Sequence, residues 1–179
     1  MKIFIAAVIL ALAIMSAGCS GPRLTSYGMA EPVKNPLPVF EDGDIRVAMK
    51  IIDDCRYGMG ITNKTPIPLR ITWINSNAVT PGCPDDVVGY SVAAGPGVTD
   101  SGGITTVAPG ATALAEAYPQ SNAYTDKKGG HHVRPLYYVK GGAESADNPK
   151  GRAFGISLVA EVNDHARRYP LLLSLTPPH

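Results

Sequence analysis

The chain has 179 residues, a length that suits one domain and is ample for a single hydrophobic core. Its 16 Lys and Arg nearly balance its 15 Asp and Glu, which argues against nucleic acid as a partner and against a general attraction to anionic lipid. The 19 Gly and 16 Pro interrupt the sequence often, so long helices are not expected after the N-terminal segment.

The N-terminal segment, MKIFIAAVILALAIMSAGC, has the order of an export signal. Lys2 supplies a positive charge, residues 3–15 form an uncharged apolar run, and three small residues precede Cys19. The run is shorter than the ~20 residues of an ordinary transmembrane helix. Small residues directly before a cysteine resemble the lipobox of bacterial lipoproteins. The resemblance implies that residues 1–18 are a signal peptide and that Cys19 is lipidated; an ordinary secretory signal is the alternative.

The three cysteines fit this interpretation. An odd count in an exported protein leaves one thiol unexplained, and lipidation of Cys19 leaves Cys55 and Cys83 as a pair. An oxidising periplasm would favour a Cys55–Cys83 disulfide. The chain-entropy model gives such a bond about 3.5 kcal/mol of stabilisation. Two unpaired buried thiols are the alternative.

The segment after the signal is predicted to be a lipidated tether, residues 19–38. Residues 20–38 contain four prolines, two glycines and no sustained alternation, so an extended, poorly ordered linker is expected. Some lipoproteins retained in the inner membrane carry Asp after the lipidated cysteine, whereas this chain has Ser20. The resemblance to that sorting pattern implies a lipid-anchored protein of the cell envelope, at the outer membrane facing the periplasm.

Residues 39–179 are predicted to form one domain of short strands, because apolar and polar residues alternate with period two. Residues 111–118 would also suit a short helix. Asn63-Lys64-Thr65-Pro66 is predicted to be a turn, and an Asn-Asp turn at residues 163–164 is predicted to join a C-terminal β-hairpin. The predicted strands cover residues 45–51, 57–61, 67–73, 87–92, 104–107, 111–118, 133–140, 154–162 and 169–175.

Many short strands with Gly and Pro turns predict an all-β antiparallel sandwich or small barrel. The order Cys55, Trp73, Cys83 resembles an immunoglobulin domain in architecture, although ten residues between Trp73 and Cys83 are too few for its inter-sheet bridge. The sequence therefore favours an immunoglobulin-like β-sandwich over the other all-β folds. The segment ITNKTPIPLRITWINSN, with TVAPG further on, is similar to a pattern in small bacterial envelope lipoproteins, which implies fold and compartment.

The four histidines are candidates for metal or catalytic roles. His131 and His132 follow two glycines and lack a third ligand at metal-site spacing, so solvated loop histidines are expected. His165 lies in the predicted hairpin turn, and His179 is the last residue of the sequence. No G-x-S-x-G, S-x-x-K or phosphate-loop motif occurs, so no catalytic residue, metal or cofactor is predicted.

Paired aspartates and tyrosines offer two further candidate sites. The acidic pairs flank Cys55 and Cys83 but lack a D-x-D-x-D-G calcium loop, so turn acids with Arg56 as a counterion are expected. The tyrosines are expected to fill half-buried strand positions, with an aromatic recognition surface as the alternative. These residues are Asp53, Asp54, Asp85 and Asp86, and Tyr118, Tyr124, Tyr137 and Tyr138.

The sequence therefore predicts a membrane-anchored, non-enzymatic structural or protein-binding module of the bacterial envelope. Its partners would be the membrane, through the lipid on Cys19, and another envelope protein, with no nucleic acid. An accessory lipoprotein of a secretion machine and a periplasmic inhibitor of a wall-degrading enzyme are alternatives. An enzyme whose site is assembled from distant loops is the rival from another class.

Overall fold

The computed structural model describes residues 27–32, 37–53, 55–80, 83–134, 136 and 154–175. Two short 3-10 helices, Trp73–Asn75 and Gln120–Asn122, lie between strands in this part of the chain. The strands within these residues are β1 (Tyr27–Glu31), β2 (Val39–Glu41), β3 (Ile45–Ile52), β4 (Arg56–Asn63), β5 (Leu69–Thr72), β6 (Asn77–Thr80), β7 (Cys83–Ala93), β8 (Val98–Ser101), β9 (Ile104–Val107), β10 (Thr112–Pro119), β11 (Ala123–Thr125), β12 (His131–Val133), β13 (Phe154–Val162) and β14 (His165–Leu175).

Twelve of these strands form one antiparallel sheet in the order β2-β3-β4-β10-β7-β6-β13-β5-β9-β8, with β14 on β13 and β1 on β14. Two strands change partners along their length. The first half of β7 pairs with β6 and its second half pairs with β10. One side of β13 pairs with β14, and its other side pairs with β6 and then with β5. β11 and β12 form a separate two-stranded sheet.

The sheet folds over on itself, so that strands distant in its order face each other across the core. Phe40 of β2 contacts Tyr169 of β14 with ring centroids 5.8 Å apart, and Tyr57 of β4 contacts Phe154 of β13 at 6.4 Å. This architecture confirms the predicted all-β antiparallel class. The immunoglobulin-like connectivity stays a prediction.

Period-two alternation predicts the buried faces correctly. In β3, Ile45, Val47 and Met49 are buried, while the residues between them are exposed. The C-terminal hairpin of β13 and β14 is confirmed as well. Its turn residues Asn163 and Asp164 have φ angles of 52° and 59°, which Asn and Asp tolerate better than other non-glycine residues.

The predicted tether is partly wrong, because residues 27–31 belong to the domain. They form β1, which pairs with the end of β14, and Met29 is 1% exposed. Apolar contact and a neighbouring strand edge therefore outweigh the local Pro and Gly content. Two parts of the predicted tether, residues 19–26 with Cys19 and residues 33–36, lie outside the described residues. The predicted signal peptide lies outside them as well.

The predicted strand at 67–73 is also corrected. It begins at Leu69, since Pro68 supplies no backbone donor, and it ends at Thr72, where the chain enters a 3-10 helix. Of the predicted strand at 133–140, Val133 belongs to β12 and Arg134 and Leu136 are not in a strand; residues 135 and 137–140 lie outside the described part. Residues 111–118 form a strand, as predicted in preference to a helix.

The Asn63 turn is held by a buried hydrogen-bond network. Asn63 Nδ2 donates to the backbone oxygens of Ile67 and Val107, at 2.7 and 2.9 Å. Its Oδ1 accepts from the backbone N–H of Thr65 at 2.8 Å, and its backbone oxygen accepts from Gly110. Asn63 thus joins the segment ITNKTP to the segment TVAPG. Its role is to connect the ends of β4 and β9.

Trp73 occupies a second structural network. Its Nε1 donates to Thr105 Oγ1 at 2.7 Å, and Thr105 Oγ1 donates to Asp100 Oδ1 at 2.6 Å. The indole stacks on Tyr90 with ring centroids 4.8 Å apart. One buried ring therefore connects β7, β8 and β9 at the point where β5 ends.

Candidate binding surface

The residues around His131 and His132 form a hairpin outside the large sheet. β11 and β12 pair antiparallel, with Tyr124 opposite His132 and Thr125 opposite His131. The hairpin leaves β10 through the 3-10 helix Gln120–Asn122, and the chain returns to the core at Leu136, which is 4% exposed. We call residues 123–134 the arm.

Asp126 organises the loop of the arm. Its Oδ1 accepts from the backbone N–H groups of Lys128 and Gly130, each at 2.8 Å. The backbones of Asp126 and Gly130 close the turn with a further bond of 2.9 Å. Gly129 has a φ of +84°, a conformation that favours glycine. The loop is therefore shaped by the side chain of Asp126 and by the glycine at position 129.

One face of the arm carries a continuous row of four polar and aromatic side chains. His132 Nε2 donates to Asp126 Oδ2 at 2.9 Å. The imidazole stacks on Tyr124 with centroids 5.3 Å apart, and the Arg134 guanidinium carbon lies 5.4 Å from the centroid of that tyrosine ring. Tyr124 is 43% exposed, so the row faces solvent. Its chemistry combines hydrogen bonding, positive charge and aromatic surface.

The electrostatics of the row favour the ionised carboxylate. The hydrogen bond from His132 lowers the pKa of Asp126, and the backbone donors of Gly130 and Lys128 lower it further. Because this pKa is lowered on folding, the stabilising effect of the carboxylate is present above its unfolded pKa and is lost as pH falls through its folded pKa.

We expect His132→Phe to raise the pKa of Asp126 toward its ordinary value, since phenylalanine keeps the stacking ring and removes the donor. The two backbone bonds should hold the pKa partly lowered. A carboxyl-detected NMR titration would measure the change. His131→Phe is the matched control, because His131 lies opposite Thr125 on the other face. An equal shift in both variants would contradict this assignment.

The predicted acidic pairs lie in turns and at strand ends, and the described members have local partners. Asp53 forms an ion pair with Arg56 at 3.1 Å, as the sequence predicted, and Arg56 also contacts Glu116 at 2.6 Å. Asp86 accepts from the backbone N–H and the hydroxyl of Ser121. The side chains of Asp54 and Asp85 lie outside the described residues. Within the described part, no group of three or more His, Cys, Asp or Glu is arranged to hold a metal.

The remaining candidate residues are dispersed. Cys55 is buried next to β4, whereas the side chain of Cys83 is not among those described, so the disulfide stays a prediction. His165 is exposed at the start of β14. Tyr118 packs over Gly89, and only Tyr124 of the four tyrosines lies on the arm; Tyr137, Tyr138 and His179 fall in the undescribed segments.

The arm was not predicted as a unit, although the sequence contains a signal for it. Two short runs, AYT and HHV, flank the five-residue loop DKKGG, and a loop of that length with glycine is typical of a β-hairpin. The period of two then places Tyr124 opposite His132. The side-chain row follows from that pairing.

Comparison with protein-family models, with curated proteins and with solved structures gives no match to this chain. Among the residues described, no helix has the length and apolar character needed to cross a membrane.

Proposed function

We propose that this protein is a lipid-anchored module of the bacterial envelope that binds another protein and has no catalytic activity. Its anchor is the lipid on Cys19, it faces the periplasm from the outer membrane, and its domain is an immunoglobulin-like β-sandwich. The observation that carries the binding role is the arm, whose Arg134–Tyr124–His132 row is exposed beside the large sheet. Exposed Tyr and Arg held by a rigid scaffold are typical of protein recognition.

The other polar clusters support a non-enzymatic role. Asn63 and Thr105 are buried and bonded to backbone or to neighbouring strands, which is a structural use of polar groups. His132 is paired with Asp126 on an exposed hairpin. A hydrolytic site needs in addition a nucleophile and donors for developing charge in one cleft, whereas the hydrogen-bond partner of His132 is the carboxylate of Asp126.

The position of β1 limits the reach of the anchored domain. Because β1 begins at Tyr27, seven residues separate it from Cys19. Even fully extended, they span at most about 25 Å. A domain attached in this way stays near the bilayer surface, and its partner must be reachable from there.

The anchor is tested by cell fractionation of the wild-type protein and Cys19→Ala. We expect the wild-type protein in the membrane fraction, since two or three acyl chains bind a bilayer far more firmly than one. The Cys19→Ala variant should be released or remain unprocessed. Ser20→Ala is the matched control and should fractionate like the wild type. Wild-type protein that is soluble and carries no lipid by intact mass would exclude the anchor.

A further inference from the structure

The positive charges of the arm are not neutralised by the described part of the protein. Lys127, Lys128 and Arg134 form no ion pair with any described residue, and the hydrogen bond of Asp126 goes to His132. Several cations elsewhere in the domain do have carboxylate partners: Arg46 and Lys64 both contact Glu41, and Arg70 contacts Glu161. Three Lys and Arg and one acidic residue lie in the arm, so the arm carries +2 and the rest of the chain −1 with His neutral. Positive charge is therefore concentrated on the arm.

We propose that the arm docks on an acidic surface of a partner protein, with carboxylates opposite Lys127, Lys128 and Arg134 and with Tyr124 as the aromatic contact. This inference rests on the proposed binding function and names the partner's chemistry. The loop bonds of Asp126 and the strand pairing hold the arm in shape before binding, which reduces the entropy lost on association.

The carboxylate of Asp126 favours a protein surface over a continuous row of phosphates as the partner. It lies in the same row as Tyr124 and Arg134. A protein surface can place its carboxylates opposite the three cations and away from Asp126. The closely spaced phosphates of nucleic acid or of an anionic bilayer would meet Asp126 as well. The loop DKKGG also lacks a large apolar side chain that would enter a bilayer.

The test uses full-length protein in detergent and a fluorescent peptide of six Glu-Ser repeats, with six Gln-Ser repeats as the uncharged probe. Fluorescence anisotropy at low and physiological salt measures binding. We expect the wild-type protein to bind the Glu peptide more tightly than the Gln peptide. The triple variant Lys127→Ala/Lys128→Ala/Arg134→Ala should bind the Glu peptide about tenfold more weakly, because three modest ion pairs are lost together. Salt should weaken the wild-type complex.

The matched control is Arg46→Ala/Lys50→Ala/Arg168→Ala, which removes the same charge from exposed positions in β3 and β14. It should bind the Glu peptide within about twofold of the wild type, and circular dichroism should show both triple variants folded. Equal weakening in both variants, or no binding by the wild type, would overturn the proposal. Arm-dependent binding to phosphatidylglycerol vesicles without binding to the peptide would also overturn it and assign a lipid surface.

Intact mass of the same preparation separates this proposal from the anchor. Lipidated protein that does not bind the Glu peptide would overturn the proposal of an acidic partner and leave the proposal of an anchored module intact. Protein without lipid that binds the Glu peptide through the arm would overturn the proposed lipid anchor and leave the proposed docking surface intact.

Discussion

Asn63→Asp should destabilise the domain by about 4 kcal/mol at neutral pH, the largest effect that we expect from a single substitution. Asn63 is fully buried, and its Nδ2 donates to two backbone oxygens at 2.7 and 2.9 Å. A carboxylate in its place would bring an anionic oxygen against both carbonyls. Within the described part of the chain, the hydrogen-bond partners of Asn63 include no cation. Thermal or urea unfolding would measure the loss, which is a large part of the ~5–15 kcal/mol typical of a domain.

The pH dependence of this variant gives its signature. Burial against two carbonyl oxygens should raise the folded pKa of the introduced carboxyl above its unfolded value of about 3.9. The variant should therefore be most stable below that unfolded value and lose stability as pH rises from it through the folded pKa. Asn63→Ala should lose about 3 kcal/mol with no such dependence, because it leaves buried groups unpaired. Asn75→Asp, at an exposed position, should have little effect. A stable Asn63→Asp at neutral pH would contradict the network.

Gly155→Ala should destabilise the domain by about 3 kcal/mol through steric overlap. A Cβ at Gly155 would lie 2.1 Å from the backbone oxygen of Leu171 and 3.0 Å from the Cα of Leu172. Gly155 lies in the middle of the sheet, with β14 on one side and Val79 of β6 on the other. The backbone of β13 cannot shift away without breaking one of these pairings. A lowered melting temperature, by about 6–12 °C at this chain length, is expected.

Gly43→Ala provides the control for this prediction. Nothing lies within 4 Å of a Cβ built at Gly43, and its φ is not in the left-handed region. The variant should match the wild type or gain slightly in stability, since alanine restricts the unfolded chain more than glycine does. Equal melting temperatures for Gly155→Ala and the wild type would contradict the close approach of β13 and β14 at this position.

Strands whose side chains alternate along their whole length could be predicted from the sequence. In β3, β13 and β14, residues such as Ile45, Ile156 and Leu171 recur at every second position and are buried. The turn at Asn163 and Asp164 needs positive φ angles, which these two residue types tolerate well. These elements depend on local pattern, which is why the all-β class and the C-terminal hairpin followed from the residues alone.

Elements that depend on distant partners could not be predicted. The carbonyl that fixes Asn63 belongs to Val107, 44 residues later, and β1 exists because β14 offers it an edge. The second half of β7 was predicted as the strand at 87–92, but its first half, which bears polar residues and pairs with β6 instead of β10, was not. The candidate surface was missed for a related reason: Tyr124, His132 and Arg134 form a row only once β11 and β12 are paired.

Site-specific photo-crosslinking in living cells tests the central claim, that this protein binds an envelope partner through the arm. The probe p-benzoylphenylalanine would replace Tyr124 on the arm or, as the control, Thr62 on the outer face of β4, where it contacts Thr112. We predict a discrete protein adduct from position 124 that disappears with Lys127→Glu/Lys128→Glu, and no such adduct from position 62. An adduct from position 62 with none from position 124, or an adduct unaffected by the charge reversal, would contradict the account.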